Sequence, residues 1–180
     1  PDEVLDLIDE FAARTYVSLE LGVQTIHNAS LEWMNRGHLN DVSDQAMQRV
    51  QGRRFEIGLH IILGLPGESH AMMMETATQV ARWNPHSVKL HNLYAVHRTK
   101  LADQLAAGEV RMLEMEEYIE LVADFLEQLP PSMVIERIIG DAPPKNLIAP
   151  QWCLRKGDVQ KALRETLERR QSFQGSKYSN

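Results

Sequence analysis

Two hydrophobic rhythms alternate along these 180 residues, and that alternation restricts the fold more than any other feature. Short runs rich in strand formers are separated by longer runs with apolar residues at helical spacing. The first strand run is Tyr16-Val17-Ser18-Leu19-Glu20-Leu21-Gly22. A second covers residues 55–63 and ends at Gly64-Leu65-Pro66-Gly67, a third covers 87–93, and a fourth covers 133–139 after Pro130-Pro131. Helical patterns fill the gaps: Val4, Leu5, Ile8, Phe11 and Ala12 behind an Asp2 N-cap, residues 29–36, 41–51 and 69–83, and a long amphipathic stretch through Tyr118, Val122, Phe125 and Leu129. The stretch between the third strand and that helix reads as irregular. A last helix, from Gly157 to about Gln171, puts Val159, Leu163 and Leu167 on one face. Alternation of this kind predicts parallel strands joined by right-handed crossovers, the first three at least being neighbours in chain order with helices on their outer face. An open sheet or part of a barrel satisfies it, and in either case ligands gather at the carboxyl ends of the strands.

Composition narrows the functional classes. A formal net charge of -6, with no basic run longer than Arg53-Arg54 or Arg169-Arg170, gives no strong nucleic-acid signal. No apolar stretch approaches membrane-spanning length, and no signal peptide opens the chain. Cys153 is the single cysteine, which excludes an internal disulfide and cannot by itself hold a four-cysteine cluster or a structural zinc ion. A reducing, cytoplasmic setting is expected. Pro1-Asp2-Glu3 enters a helical pattern without an initiator methionine, so the chain reads as a piece of a longer one.

Several residues carry chemistry. Glu20 lies among apolar neighbours on the first strand, where a carboxylate needs hydrogen-bond donors or a cation, whether its role is structural or functional. Beyond it, Gly22 permits close backbone approach, and Gln24 offers both a donor and an acceptor. The Gly64-Leu65-Pro66-Gly67-Glu68 turn precedes a helix that opens near Ser69, and could present amides to a phosphate or an adenine edge, or serve only as a connection. It has neither a P-loop lysine nor dinucleotide-fingerprint spacing. His60 and His91 interrupt apolar strands, a pattern more usual for hydrogen-bonded core imidazoles than for metal ligands, and no metal site is expected. Arg137 alternates with Glu136 on the fourth strand, and Asp141 follows Gly140 at its end; they matter to a site only if that strand end faces it.

As an ordered set, Leu19-Glu20-Leu21-Gly22-Val23-Gln24-Thr25, Asn35-Arg36-Gly37-His38, the 60–68 segment, Lys89-Leu90-His91, and Gly140-Asp141 with Ala149-Pro150-Gln151-Trp152 resemble the radical S-adenosylmethionine (SAM) superfamily. The likeness is to its Elp3-like and coproporphyrinogen-dehydrogenase-related branch. It implies an α/β fold, the C-terminal half of a partial (βα)6 TIM-like barrel over residues 1–129, followed by a C-terminal extension over 130–180. It also implies two cofactors, SAM and a [4Fe–4S] cluster, and reductive cleavage of SAM to a 5′-deoxyadenosyl radical that acts on an unknown substrate. By the same resemblance, Gln24 and Arg36 reach the ribose and carboxylate of SAM. His60 stands where relatives carry a ribose-binding aspartate. Gly64, Leu65 and Glu68 belong to the adenine-side motif, and Glu20 to the motif of the neighbouring strand. His91, Arg137 and Asp141 are the candidates nearest the reacting groups. The family's three-cysteine cluster motif does not occur in these residues, so the chain as given is expected to be inactive alone. A half-barrel would leave the first strand with an open edge, which invites self-association. Two other readings remain open at this point: an α/β enzyme holding a phosphorylated small molecule at Gly64–Gly67, and a non-catalytic interaction module.

Overall fold

Six strands occur among the described residues, 1–179, of a computed structural model. They are β1 (Ser18–Gln24), β2 (Glu56–Leu63), β3 (Ser87–Asn92), β4 (Ala95–Val96), β5 (Val134–Arg137) and β6 (Leu147–Ala149). The main sheet has the order β1-β2-β3-β5 and is parallel throughout, as the alternation predicts. β4 and β6 form a separate antiparallel pair that the sequence reading did not anticipate.

Among the described residues seven α-helices connect and flank the strands: α1 (Asp2–Ala12), α2 (Asn28–Trp33), α3 (Asn40–Val50), α4 (His70–Trp83), α5 (Lys100–Ala106), α6 (Met115–Gln128) and α7 (Lys156–Arg169). Their ends follow from local chemistry. The Ser69 hydroxyl accepts the Met72 N–H and starts α4, and Asn84 in the left-handed region stops it. Glu114 and Glu117 form a reciprocal capping box on α6. At α1 the expected cap is corrected: Pro1 is the N-cap, and Asp2 lies inside the first turn, bonded to Arg49. That helix is fastened by three acid–base pairs, Asp2–Arg49 at 2.7 Å, Asp6–Arg53 at 2.5 Å and Asp9–Arg54 at 3.1 Å. Its apolar stripe is not fully buried. Val4, Leu7 and Phe11 are at least half exposed, and they lie on the helix leading into β1, a terminal strand of the sheet.

Strand periodicity sorts side chains onto two faces. Ile57, Leu59, Ile61, Leu63, Val88 and Leu90 point one way into a core completed by α4, α6 and α7. Burial of these side chains stabilises each by roughly 1.5–3 kcal/mol relative to exposure. One core thus extends from the sheet to the last helix. Along the other face, Glu20 stands opposite Gly58, His60 opposite Lys89 and Ile62 opposite His91. This second face is polar and partly open, and it positions the candidate site. No helix among the described residues is long and apolar enough to cross a membrane.

Candidate functional site

The polar face is organised around Lys89. Its ammonium lies 2.6 Å from Glu20 Oε1 and 3.3 Å from Glu136 Oε2, with only 15% of the side chain exposed. Ser87 donates its hydroxyl to the other oxygen of Glu136, Oε1. Gly58 lies beneath this arrangement, because a Cβ there would come within 2.9 Å of the Ser87 Oγ and 3.5 Å of both the Glu136 carboxylate and the Glu20 Cγ. The glycine is therefore what lets three charged side chains meet over the sheet.

Glu20 Oε2 lies 2.5 Å from His60 Nε2. Hydrogen bonds from Lys89, and then from His60, hold the Glu20 carboxyl down at about 2, so it is ionised at neutral pH. Lys89 is correspondingly raised, chiefly by Glu20. The His60 ring stacks on His91 with centroids 5.4 Å apart and planes 15° from parallel. Burial, reinforced by His60 and Arg137, pushes the His91 imidazole down to about 4. A neutral His91 results, and its buried Nε2 has no hydrogen-bond partner among the described residues.

At the end of β1 the chain departs from regular pairing between Leu21 and Gln24, and Gln24 adopts a positive φ of 70°. Arg36 donates Nη2–H to the Gly22 carbonyl, while its buried Nε has no partner. A Cβ on Gly22 would lie 2.6 Å from Gln24 Nε2 and 3.4 Å from Arg36 Nη2. Gln24 and Arg36 thus gather around Gly22 at the carboxyl end of β1, two residues beyond Glu20, with Arg36 also bordering Leu21, Val42 and Ala46 on the α3 side.

Other predicted residues sit apart from this group. Arg137 pairs with Asp141 at 2.9 Å, and Asp141 is also held by Lys156. That trio borders the face next to His91, where Gly140 leaves room for Tyr94 and the His91 ring. Glu68 accepts the Thr25 hydroxyl at 2.7 Å, tying the ends of β1 and β2 together. Leu65 is buried, and Gly64 has its N–H directed at the Met73 sulfur with Leu113 against its Cα. The turn amides available to a phosphate are reduced further because the Glu68 N–H bonds to the Leu65 carbonyl.

Lys89, Gly58 and Glu136 were not singled out for the site from sequence. A signal for each was present: Lys89 shares its strand face with His91, Glu136 precedes Arg137 on an exposed strand, and a glycine inside a strand marks close approach. These residues form an open face rather than a walled cavity, with 43% of the Glu20 side chain and 30% of His60 exposed. Among the described residues no group of three or more His, Cys, Asp or Glu side chains is placed to hold a metal ion.

Comparison with known proteins identifies this architecture. Residues 85–169 match the Radical_SAM C-terminal domain family. The chain is 37% identical over 175 residues to the uncharacterized protein YtqA of Bacillus subtilis, covering 97% of this chain and 54% of YtqA. It is 29% identical over 128 residues to the tRNA uridine(34) acetyltransferase of Methanocaldococcus jannaschii, covering 69% of this chain and 24% of that protein. The fold superposes on an N-terminally deleted Elp3 from Methanocaldococcus infernus with a TM-score of 0.76, at 21% identity, over 94% of this chain and 40% of that one. The chain thus spans about half the length of YtqA and a smaller part of the Elp3 structure. The family match over residues 85–169 and these relatives relate the chain to the radical SAM proteins in an Elp3-like branch, and its parallel α/β fold is that of the Elp3 structure.

Proposed function

We propose that the polar face of this sheet holds the adenosyl end of SAM in a longer polypeptide that supplies the iron–sulfur ligands. The supporting observation is that two of the buried polar atoms without a partner among the described residues, Arg36 Nε and His91 Nε2, lie at the end of β1 and on the polar face, in a chain of radical SAM kinship. Buried polar groups are normally paired, so these two suit a polar ligand. Gln24 and Arg36 would orient the ligand's polar ends, and His60 and His91 would line its ring. Bound SAM and a [4Fe–4S] cluster together supply reductive cleavage and a 5′-deoxyadenosyl radical. The cluster does not fit the residues present. Cys153 is the one cysteine, and burial raises its thiol pKa and disfavours the thiolate a metal requires. The open edge of β1 with the apolar stripe of α1 is the surface on which further strands or a second copy would pair.

Calorimetry on the full-length, anaerobically reconstituted protein tests this reading. Arg36→Ala and Gln24→Ala should each weaken SAM binding while the cluster absorption is unchanged. A hydrogen bond to a charged group is worth about 1.5–3 kcal/mol, so Arg36→Ala should lose roughly tenfold or more. Unchanged affinity in both variants removes the polar face as the binding site.

A further inference from the structure

The two carboxylate oxygens of Glu20 are already engaged within the chain, Oε1 by Lys89 at 2.6 Å and Oε2 by His60 at 2.5 Å. Both oxygens are thus oriented by neighbours within the chain, and each keeps a second lone pair. The contact with His60 also has a defined polarity. Glu20 is ionised, with its carboxyl held at about 2, and has no proton to give, so the ring must be the donor at Nε2. A neutral imidazole carries one N–H, which leaves the lone pair on Nδ1. Glu136, bonded to Ser87, secures Lys89 from the other side, and the stacked His91 ring opposes rotation of the imidazole.

We propose that Lys89 and Glu20 are positioning residues that fix His60 with Nε2–H toward Glu20, so that Nδ1 is the acceptor presented to a sugar hydroxyl. The inference deepens the reading above and rests on it for the identity of the ligand. It assigns Glu20 an indirect part: the carboxylate sets the tautomer, and the imidazole meets the ligand. His91 adds a second neutral ring on the same face, with its own unpartnered Nε2.

The test has two arms on the full-length protein. In the first, histidine-selective 15N labelling at pH 8, above the ordinary imidazole range of about 6.5, reports the tautomer by long-range 1H–15N correlation. His60 is assigned by the signal lost in His60→Asn. The wild type should show a pyrrole-like Nε2 and a pyridine-like Nδ1, and Glu20→Gln should shift both nitrogens toward a mixture of tautomers. Lys89→Met should shift them the same way by less. A pyridine-like Nε2 in the wild type, or an unchanged tautomer in Glu20→Gln, overturns the proposal without touching the adenosyl reading. In the second arm, calorimetry compares adenosine with its 2′-deoxy and 3′-deoxy analogues. One analogue should bind about fivefold to tenfold more weakly, as for one lost hydrogen bond, and the difference should vanish in His60→Phe. Equal binding of all three nucleosides overturns the hydroxyl assignment. A fixed tautomer with no adenosine binding overturns the adenosyl reading and leaves the tautomer assignment standing.

Discussion

Replacing Lys89 with Met should expose how the polar face is held together. Among the described residues the Lys89 ammonium is the one lysine or arginine cation within salt-bridge distance of Glu20 and Glu136, at 2.6 and 3.3 Å, and its removal leaves two carboxylates facing each other above Gly58. An exposed ion pair contributes about 0–1 kcal/mol, whereas stripping one partner from a buried pair costs about 3–5 kcal/mol. Lys89 is 15% exposed but its partners are 43% and 33% exposed, so solvent screens part of the loss. The expected destabilisation is about 2 kcal/mol at pH 7, read by urea unfolding. The pH dependence identifies the cause. Glu20 has a folded-state pKa of about 2 against 4.5 for the unconstrained group. Its contribution is therefore complete above pH 4.5 and is lost as pH falls toward 2. In Lys89→Met the main source of that depression is gone, so the gap between wild type and variant should narrow steadily below pH 4.5. A loss under about 0.5 kcal/mol at pH 7, or a gap constant with pH, would refute the reasoning.

Gly58→Ala should destabilise by about 1–3 kcal/mol, because the new Cβ collides with the Ser87 hydroxyl at 2.9 Å and disturbs its bond to Glu136. Gly37→Ala, with nothing within 4 Å of its Cβ, is the control and should change the urea midpoint little. On the far side of the molecule, Arg170 pairs with Glu120, Asp124 at 2.8 Å and Glu127 at 3.2 Å, and Glu127 is only 1% exposed. Arg170→Met should cost about 3 kcal/mol, a fall in Tm of roughly 6–12 °C by calorimetry, while Arg155→Met, at an exposed pair, should barely register.

Strand order and direction were legible because the βα alternation leaves few topologies. The fourth strand joins in parallel as well, although at Val134–Arg137 it is shorter than its apolar run. Gly22 misled the boundary of the first strand. It reads as a terminator, yet β1 continues to Gln24, since the glycine is there to admit Gln24 and Arg36. The two-residue β4 and the seven-residue α5 fall below the length at which periodicity can speak, so their stretch reads as irregular, and the three-residue β6 is likewise too short to register. For the site, Glu20, His60 and His91 stood out as polar residues in apolar strands, and the sheet does place them side by side. Lys89 was hidden because its partners come from β1 and β5, and pairing between strands is set by register rather than by local pattern. The Gly64–Glu68 turn shows a further limit: such a turn looks the same in sequence whatever packs against it, and here Leu113 and the Met73 sulfur lie against Gly64.

The most direct measurement is anaerobic incubation of the full-length, cluster-loaded protein with SAM and dithionite, with 5′-deoxyadenosine as the product assayed, beside the 180-residue chain treated identically. Formation of 5′-deoxyadenosine by the full-length protein, its loss in Arg36→Ala, and none from the 180-residue chain is the result expected. No 5′-deoxyadenosine from a full-length protein whose cluster spectrum is intact would contradict the assignment of this face to SAM.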